Sequence, residues 1–225
     1  MFPVRDTLPA ARRSVSNWLL ILLNGWVFWY QLGLSEAELE AWVYELGVVP
    51  AAYTSGSSST YWPWLTTMFV HGGWLHVIAN LWSLWIFGDN VEARMGRLRY
   101  IVFFLLAGLG GTLAHVVFNP GSSVPVVGAS GAISGVMAAY LFLFPAARIV
   151  MLFPIFFIPF FFQIPAWLYI LVWIAMETLT GLTMVAQGGL EEGGVAVWAH
   201  VGGFATGAVL YRLFLLGRGN EESAP

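Results

Sequence analysis

Ser130 is the residue around which chemistry can be built. It lies in Val127-Gly-Ala-Ser-Gly-Ala-Ile-Ser-Gly135, between Gly128 and Gly131, so backbone can approach whatever binds its hydroxyl. A serine in that setting suits a nucleophile, provided an imidazole takes its proton as the new bond forms. His71, His76 and His200 all lie in or beside apolar stretches, and Asn80 follows His76 by four residues, on the same helix face. Gly-x-Ser-x-Gly is absent, because a glycine follows the serine directly, and the strand-turn-helix elbow of soluble hydrolases is a poor fit. Gly131 and Gly135, and again Gly203 and Gly207, keep Gly-x-x-x-Gly spacing. In an apolar helix that spacing marks close packing, so on this motif alone Ser130 reads as a packing residue.

The elements that must position these groups follow from composition. Hydrophobic residues make up 59% of the chain and charged ones 9%, with 12 Trp and 17 Phe. No water-facing surface of this size tolerates that balance, which makes the chain an integral membrane protein. Cysteine is absent, which removes disulfides and thiolate chemistry. The net charge of -3 says little about partners. The bilayer is the expected surrounding, with no nucleic acid.

Residues 1–13 read as a polar tail, and apolar spans are expected at about 14–34, 64–88, 100–118, 128–145, 165–186 and 195–216. After the first span, Glu36, Glu38, Glu40 and Glu45 alternate with Leu39, Trp42, Val43 and Leu46 at helical spacing, as in a short helix lying in the interface. Residues 54–60 are a Ser/Gly/Thr loop. The charge-free stretch 149–163, broken by Pro154 and Pro159, reads as a bent membrane-embedded connection. Residues 187–194 are a flexible acidic loop, and 217–225 a second tail. The fold expected is an all-α polytopic bundle of six transmembrane helices, a single domain over 1–225 with its core at 14–216.

Six spans with a cytoplasmic N-terminus put Arg5, Arg12, Arg13, Arg94, Arg97, Arg99, Arg148, Arg212 and Arg218 on one side, and these are all nine basic residues. The opposite loops carry only acidic charge, so the positive-inside rule places both termini in the cytoplasm. Spans two, four and six then bring His71, His76, Ser130 and His200 to one depth on the outer side. A polar group inside a span costs about 2 to 3 kcal/mol on insertion scales, so each needs a reason. The paired glycines let the fourth and sixth helices approach, setting Ser130 beside His200. The two aspartates, Asp6 and Asp89, belong to the other face, and nothing in the sequence places an outer glutamate near His200, which favours a Ser-His dyad over a triad. His76, Asn80 and the Ser130 amide can supply the donors that an oxyanion requires.

These motifs, His71-x4-His76-x3-Asn80, Gly128-x-Ser130-Gly131 and Ala199-His200-x2-Gly203-x3-Gly207, in that order, resemble those of the rhomboid intramembrane serine proteases. The resemblance covers the chain from Ser14 to Leu216. It implies that Ser130 is the nucleophile and His200 its base, that His76 and Asn80 occupy the oxyanion positions, and that His71 supports them. It implies also that the substrates are transmembrane segments of other proteins, cut near the outer face. Two departures stand out. Many bacterial members carry, four residues after the nucleophile, a tyrosine stacked on the catalytic histidine, and here that position is Ser134. A Trp-Arg pair common in the first outer loop has no arginine counterpart in Tyr61-Trp-Pro-Trp64.

Other readings compete. A rhomboid-fold protein that binds without cleaving would ordinarily have lost the serine or the histidine. A small transporter would use Glu177 and the histidines, but no internal repeat is visible and the polar groups gather on one side. Glu177 itself either carries a proton or hydrogen-bonds a neighbour, and His115 reads as an interfacial or packing residue. No ligand pair has a familiar zinc spacing, so neither metal nor cofactor is expected. With no transit peptide and little beyond the six-helix core, a prokaryotic inner membrane is the expected address, with the active site opening to the extracytoplasmic side.

Overall fold

The computed structural model describes residues 2–9, 14–156, 158–186 and 196–216. The expected acidic loop at 187–194, the C-terminal tail, and Arg12, Arg13 and Arg218 lie outside the described residues. Among the described residues, nine α-helices run in chain order: α1 (Val15–Gln31), α2 (Glu36–Leu46), α3 (Pro50–Thr54), α4 (Pro63–Thr66), α5 (Trp74–Met95), α6 (Arg97–Phe118), α7 (Ser130–Leu143), α8 (Ala166–Ala186) and α9 (Val197–Leu210). Three strands among the same residues, β1 (Phe2–Asp6), β2 (Arg148–Ile155) and β3 (Ile158–Pro165), form one sheet in the order β1-β2-β3, antiparallel throughout.

The sheet corrects two expectations: the fold is not all-α, and residues 149–163 are a β-hairpin instead of a bent connection. Part of the physical reason is local. Ile149, Val150, Phe160, Phe161 and Ile164 favour extended backbone. Pro154 and Pro159, which a helix interior would not accept, sit opposite each other across the hairpin. The expected N-terminal tail supplies the third strand, with Phe2 opposite Leu152 and Asp6 opposite Ile149.

α7, α6 and α9 form the centre. Every residue of α7 from Gly131 to Tyr140 is buried, as expected of a helix apolar on all sides. It has 14 residues, about 21 Å of rise, well short of the roughly 30 Å of a hydrocarbon core. α9, also 14 residues long, lies against it through glycines. A Cβ on Gly203 would meet Gly131 backbone, and one on Gly207 would meet Gly135 backbone.

Around this centre the surface is apolar. Trp18, Leu19, Leu22, Trp26 and Trp29 of α1 and Leu171, Val172, Met176 and Leu179 of α8 are exposed, a pattern that suits lipid contact. Among the described residues, α6 and α8 are long and apolar enough to cross a membrane, and α7 and α9 are shorter apolar helices. α8 is the least buried of the long helices, with Ala166, Ile170 and Gly181 its buried residues.

The bundle end opposite Ser130 is closed by buried polar groups. Glu92 accepts the Ser16 and Asn17 amides at 2.9 and 2.7 Å, capping α1. Tyr100 donates to Asn17 Oδ1 at 2.8 Å, and Asp6 accepts from Asn90 at 2.9 Å and from Tyr140 at 2.6 Å. At this end Arg99 donates to the Leu216 carbonyl at 2.7 Å, and the Arg148 carbonyl accepts from the Thr7 amide at 3.0 Å. At the other end α2 forms as expected, started by a capping box between Ser35 and Glu38.

The second expected span begins later than its hydropathy suggested. The chain from Pro63 to Phe69 is a short α-turn followed by a 3-10 turn, then breaks, and α5 starts at Trp74. Gln31 holds the break: its side-chain amide donates to the His71 carbonyl at 2.8 Å, and its oxygen accepts the His71 amide at 3.0 Å. Gly73, at φ +154°, makes the turn into α5.

Candidate active site

The sequence-predicted residues meet at a cavity of about 770 Å³ enclosed by α5, α7, α8 and α9, with the 122–127 loop beside it. Ser130, His200, His76 and Asn80 all line it. Ser130 is the first residue of α7, and the helix ladder begins with the Ile133 amide bonding to the Ala129 carbonyl. The amides of Ser130, Gly131 and Ala132 therefore lie outside that ladder, at the positive end of the helix.

The Gly-x-Ser-Gly segment takes its shape from two close approaches. Gly128 has φ +117°, and a Cβ there would stand 2.5 Å from His76 Nε2, so only glycine brings this loop against the imidazole. On the other side, a Cβ on Gly131 would lie 3.1 Å from the Ala199 carbonyl oxygen, next to His200. His76 Nδ1 accepts the Gly72 amide at 3.3 Å, which leaves the ring proton on Nε2, toward the loop before Ser130. Asn80 donates one amide hydrogen to the His76 carbonyl at 2.8 Å and keeps a second.

His71 stands apart. It is buried, does not line the cavity, and lies edge-on to His76 with ring centroids 5.1 Å apart. Its Nδ1 donates to the Phe69 carbonyl at 3.2 Å.

His200 brings the principal correction. Residue spacing offers no reason to place a carboxylate near it, yet Glu177 Oε2 lies 2.9 Å from His200 Nδ1. Trp173, one turn earlier on α8, sets its ring 5.7 Å from the imidazole at an interplanar angle of 38°. Ser134, four residues after Ser130, donates its hydroxyl to the Ser130 carbonyl at 2.6 Å. Reading by residue missed Trp173. The available signal was the four-residue spacing of Trp173 and Glu177, the one carboxyl in that span. His115, expected to be a packing or interfacial residue, is buried in the cavity wall. Among the described residues no group of three His, Asp or Glu side chains is arranged to hold a metal ion.

Apolar helices around a cavity that carries a serine, imidazoles and an amide define a helical membrane protein with a polar site among its helices. The Rhomboid domain model matches residues 58–217, and the chain belongs to the rhomboid family, whose members are integral membrane proteins. Rhomboid protease GluP of Bacillus subtilis (strain 168) is 39% identical over 82 residues, 36% of this chain and 16% of that protein. RHOMBOID-like protein 6, mitochondrial, of Arabidopsis thaliana is 36% identical over 80 residues, 36% of this chain and 25% of that protein. RHOMBOID-like protein 4 of the same plant is 30% identical over 155 residues, 69% of this chain and 34% of that protein. The chain thus spans about a third or less of the length of these relatives.

Proposed function

We propose that this protein is an intramembrane serine endopeptidase that cuts transmembrane segments of other membrane proteins, with Ser130 as nucleophile and His200 as general base. The observation that carries the proposal is the shared cavity wall, on which glycine contacts hold α7 and α9 backbone to backbone beside these two side chains. Ser130 Oγ attacks the peptide carbonyl carbon while its proton passes to His200 Nε2. The oxyanion that forms is met by His76 Nε2–H, the free Asn80 amide hydrogen and the first amides of α7. Collapse breaks the C–N bond, and the imidazolium gives its proton to the leaving amine. Water entering the cavity then attacks the acyl ester, losing its proton to His200, and Ser130 is regenerated. Six spans with both termini on the arginine-bearing side open this cavity to the extracytoplasmic face.

Labelling with a fluorophosphonate, read by intact mass, tests this. A single adduct on the wild type, missing from folded Ser130→Ala and His200→Ala, is the expected result. No adduct on folded wild type, beside a positive control, would sink the proposal in favour of a rhomboid-fold protein that does not cleave.

A further inference from the structure

Ser130 and His200 are held by very different helices. Ser130 belongs to α7, the most enclosed element, whereas the orientation of the His200 ring is set from α8, which is mostly exposed. The hydrogen bond at 2.9 Å joins a carboxylate oxygen, which accepts, to Nδ1, which must then carry the proton. That leaves the Nε2 lone pair for the serine proton, the tautomer a general base requires. Trp173 flanks the same ring, and Ser134 has no group to do so. Glu177, Trp173 and Gly181 recur at four-residue spacing on one face of α8. A Cβ on Gly181 would lie 2.9 Å from the Trp198 ring, so this face is seated directly on the start of α9.

We infer that Glu177 and Trp173 of α8 are positioning residues for His200. Without these two contacts the imidazole is free to turn and to exchange tautomers, while Ser130 and the oxyanion donors stay in place. This rests on the reading of Ser130 and His200 as nucleophile and base.

The test uses the whole chain in detergent micelles, with a fluorophosphonate as probe and 15N-labelled histidine as spectroscopic reporter. Glu177→Gln is expected to lower the labelling rate roughly 10²-fold, because an amide supports either tautomer. Glu177→Asp should recover most of the rate, and Trp173→Ala should lower it about 10-fold with Trp173→Phe near wild type. In the 15N spectrum His200, identified by its loss in His200→Ala, should be the Nδ1–H tautomer in wild type and a mixture in Glu177→Gln. A wild-type labelling rate in folded Glu177→Gln would overturn the inference. So would an Nε2–H tautomer of His200 in the wild type, a result that needs no variant to fold. If the wild type takes no label, the nucleophile reading fails, while the tautomer spectrum still decides the role of Glu177.

Discussion

Gly203→Ala puts one methyl group where α7 and α9 touch. The added Cβ would collide with the Gly131 carbonyl oxygen and lie 2.7 Å from its carbon and 3.1 Å from its Cα, where ordinary contact begins at 3.4 Å. All three atoms are backbone, so none can rotate aside. Relieving the carbon contact alone requires 3.4 minus 2.7, or 0.7 Å, and relieving the oxygen requires more, so the helices must part by about 1 Å. His200 lies one turn before Gly203 on α9 and moves with it, away from Ser130. A misplacement of about 1 Å can cost about 10²-fold in rate, and overpacking of this kind costs about 1 to 3 kcal/mol of stability. The assay is the fluorophosphonate labelling rate beside the thermal unfolding midpoint in the same detergent. Gly25→Ala on α1 is the control, because the nearest atom to its Cβ is Leu81 Cδ1 at 4.0 Å, and it should label at the wild-type rate. Equal rates for wild type and Gly203→Ala, or an equal loss in Gly25→Ala, would refute the argument that glycine contacts set the distance between nucleophile and base.

Gly128→Ala combines a backbone at φ +117° with a Cβ 2.5 Å from His76 Nε2. It should cost about 1 to 3 kcal/mol in strain and, by displacing an oxyanion donor, about 10²- to 10³-fold in peptide cleavage, measured on a transmembrane peptide. Glu92→Ala removes the acceptor for the Ser16 and Asn17 amides. Loss of these charge-assisted bonds should cost about 3 kcal/mol, seen as a lower unfolding midpoint with the labelling rate of the folded fraction unchanged. Burial raises the Asp6 carboxyl above its ordinary value, against the opposing hydrogen bonds from Tyr140 and Asn90. The folded state therefore holds this proton more tightly, and the stabilisation is complete below the unfolded value of 3.8 and lost as pH rises through the raised one. Unfolding midpoints of wild type should fall relative to Asp6→Asn over that rise, and parallel profiles would refute the assignment.

Composition and spacing were enough to place this chain in a membrane and to group Ser130, His200, His76 and Asn80, which line one cavity. The helical spacing of Leu39, Trp42, Val43 and Leu46 likewise foretold α2, which the structure starts with a capping box from Ser35 to Glu38. The hairpin was not legible, because a charge-free run of aromatic, β-branched and proline residues suits a bent helix or a strand. What selects the strand is pairing with residues 2–6, far away in sequence. The start of α5 was hidden for the same reason, since the break before it is held by Gln31, forty residues upstream of His71. Glu177 was visible only as an unexplained carboxyl in an apolar span. Its meeting with His200 depends on how α8 is rotated and seated on α9, which the Gly181 contact with Trp198 decides. Residue types declare which groups are able to react, because that chemistry belongs to single side chains. Which groups touch is set by the rotation and separation of packed helices, and those exist only once the chain has folded.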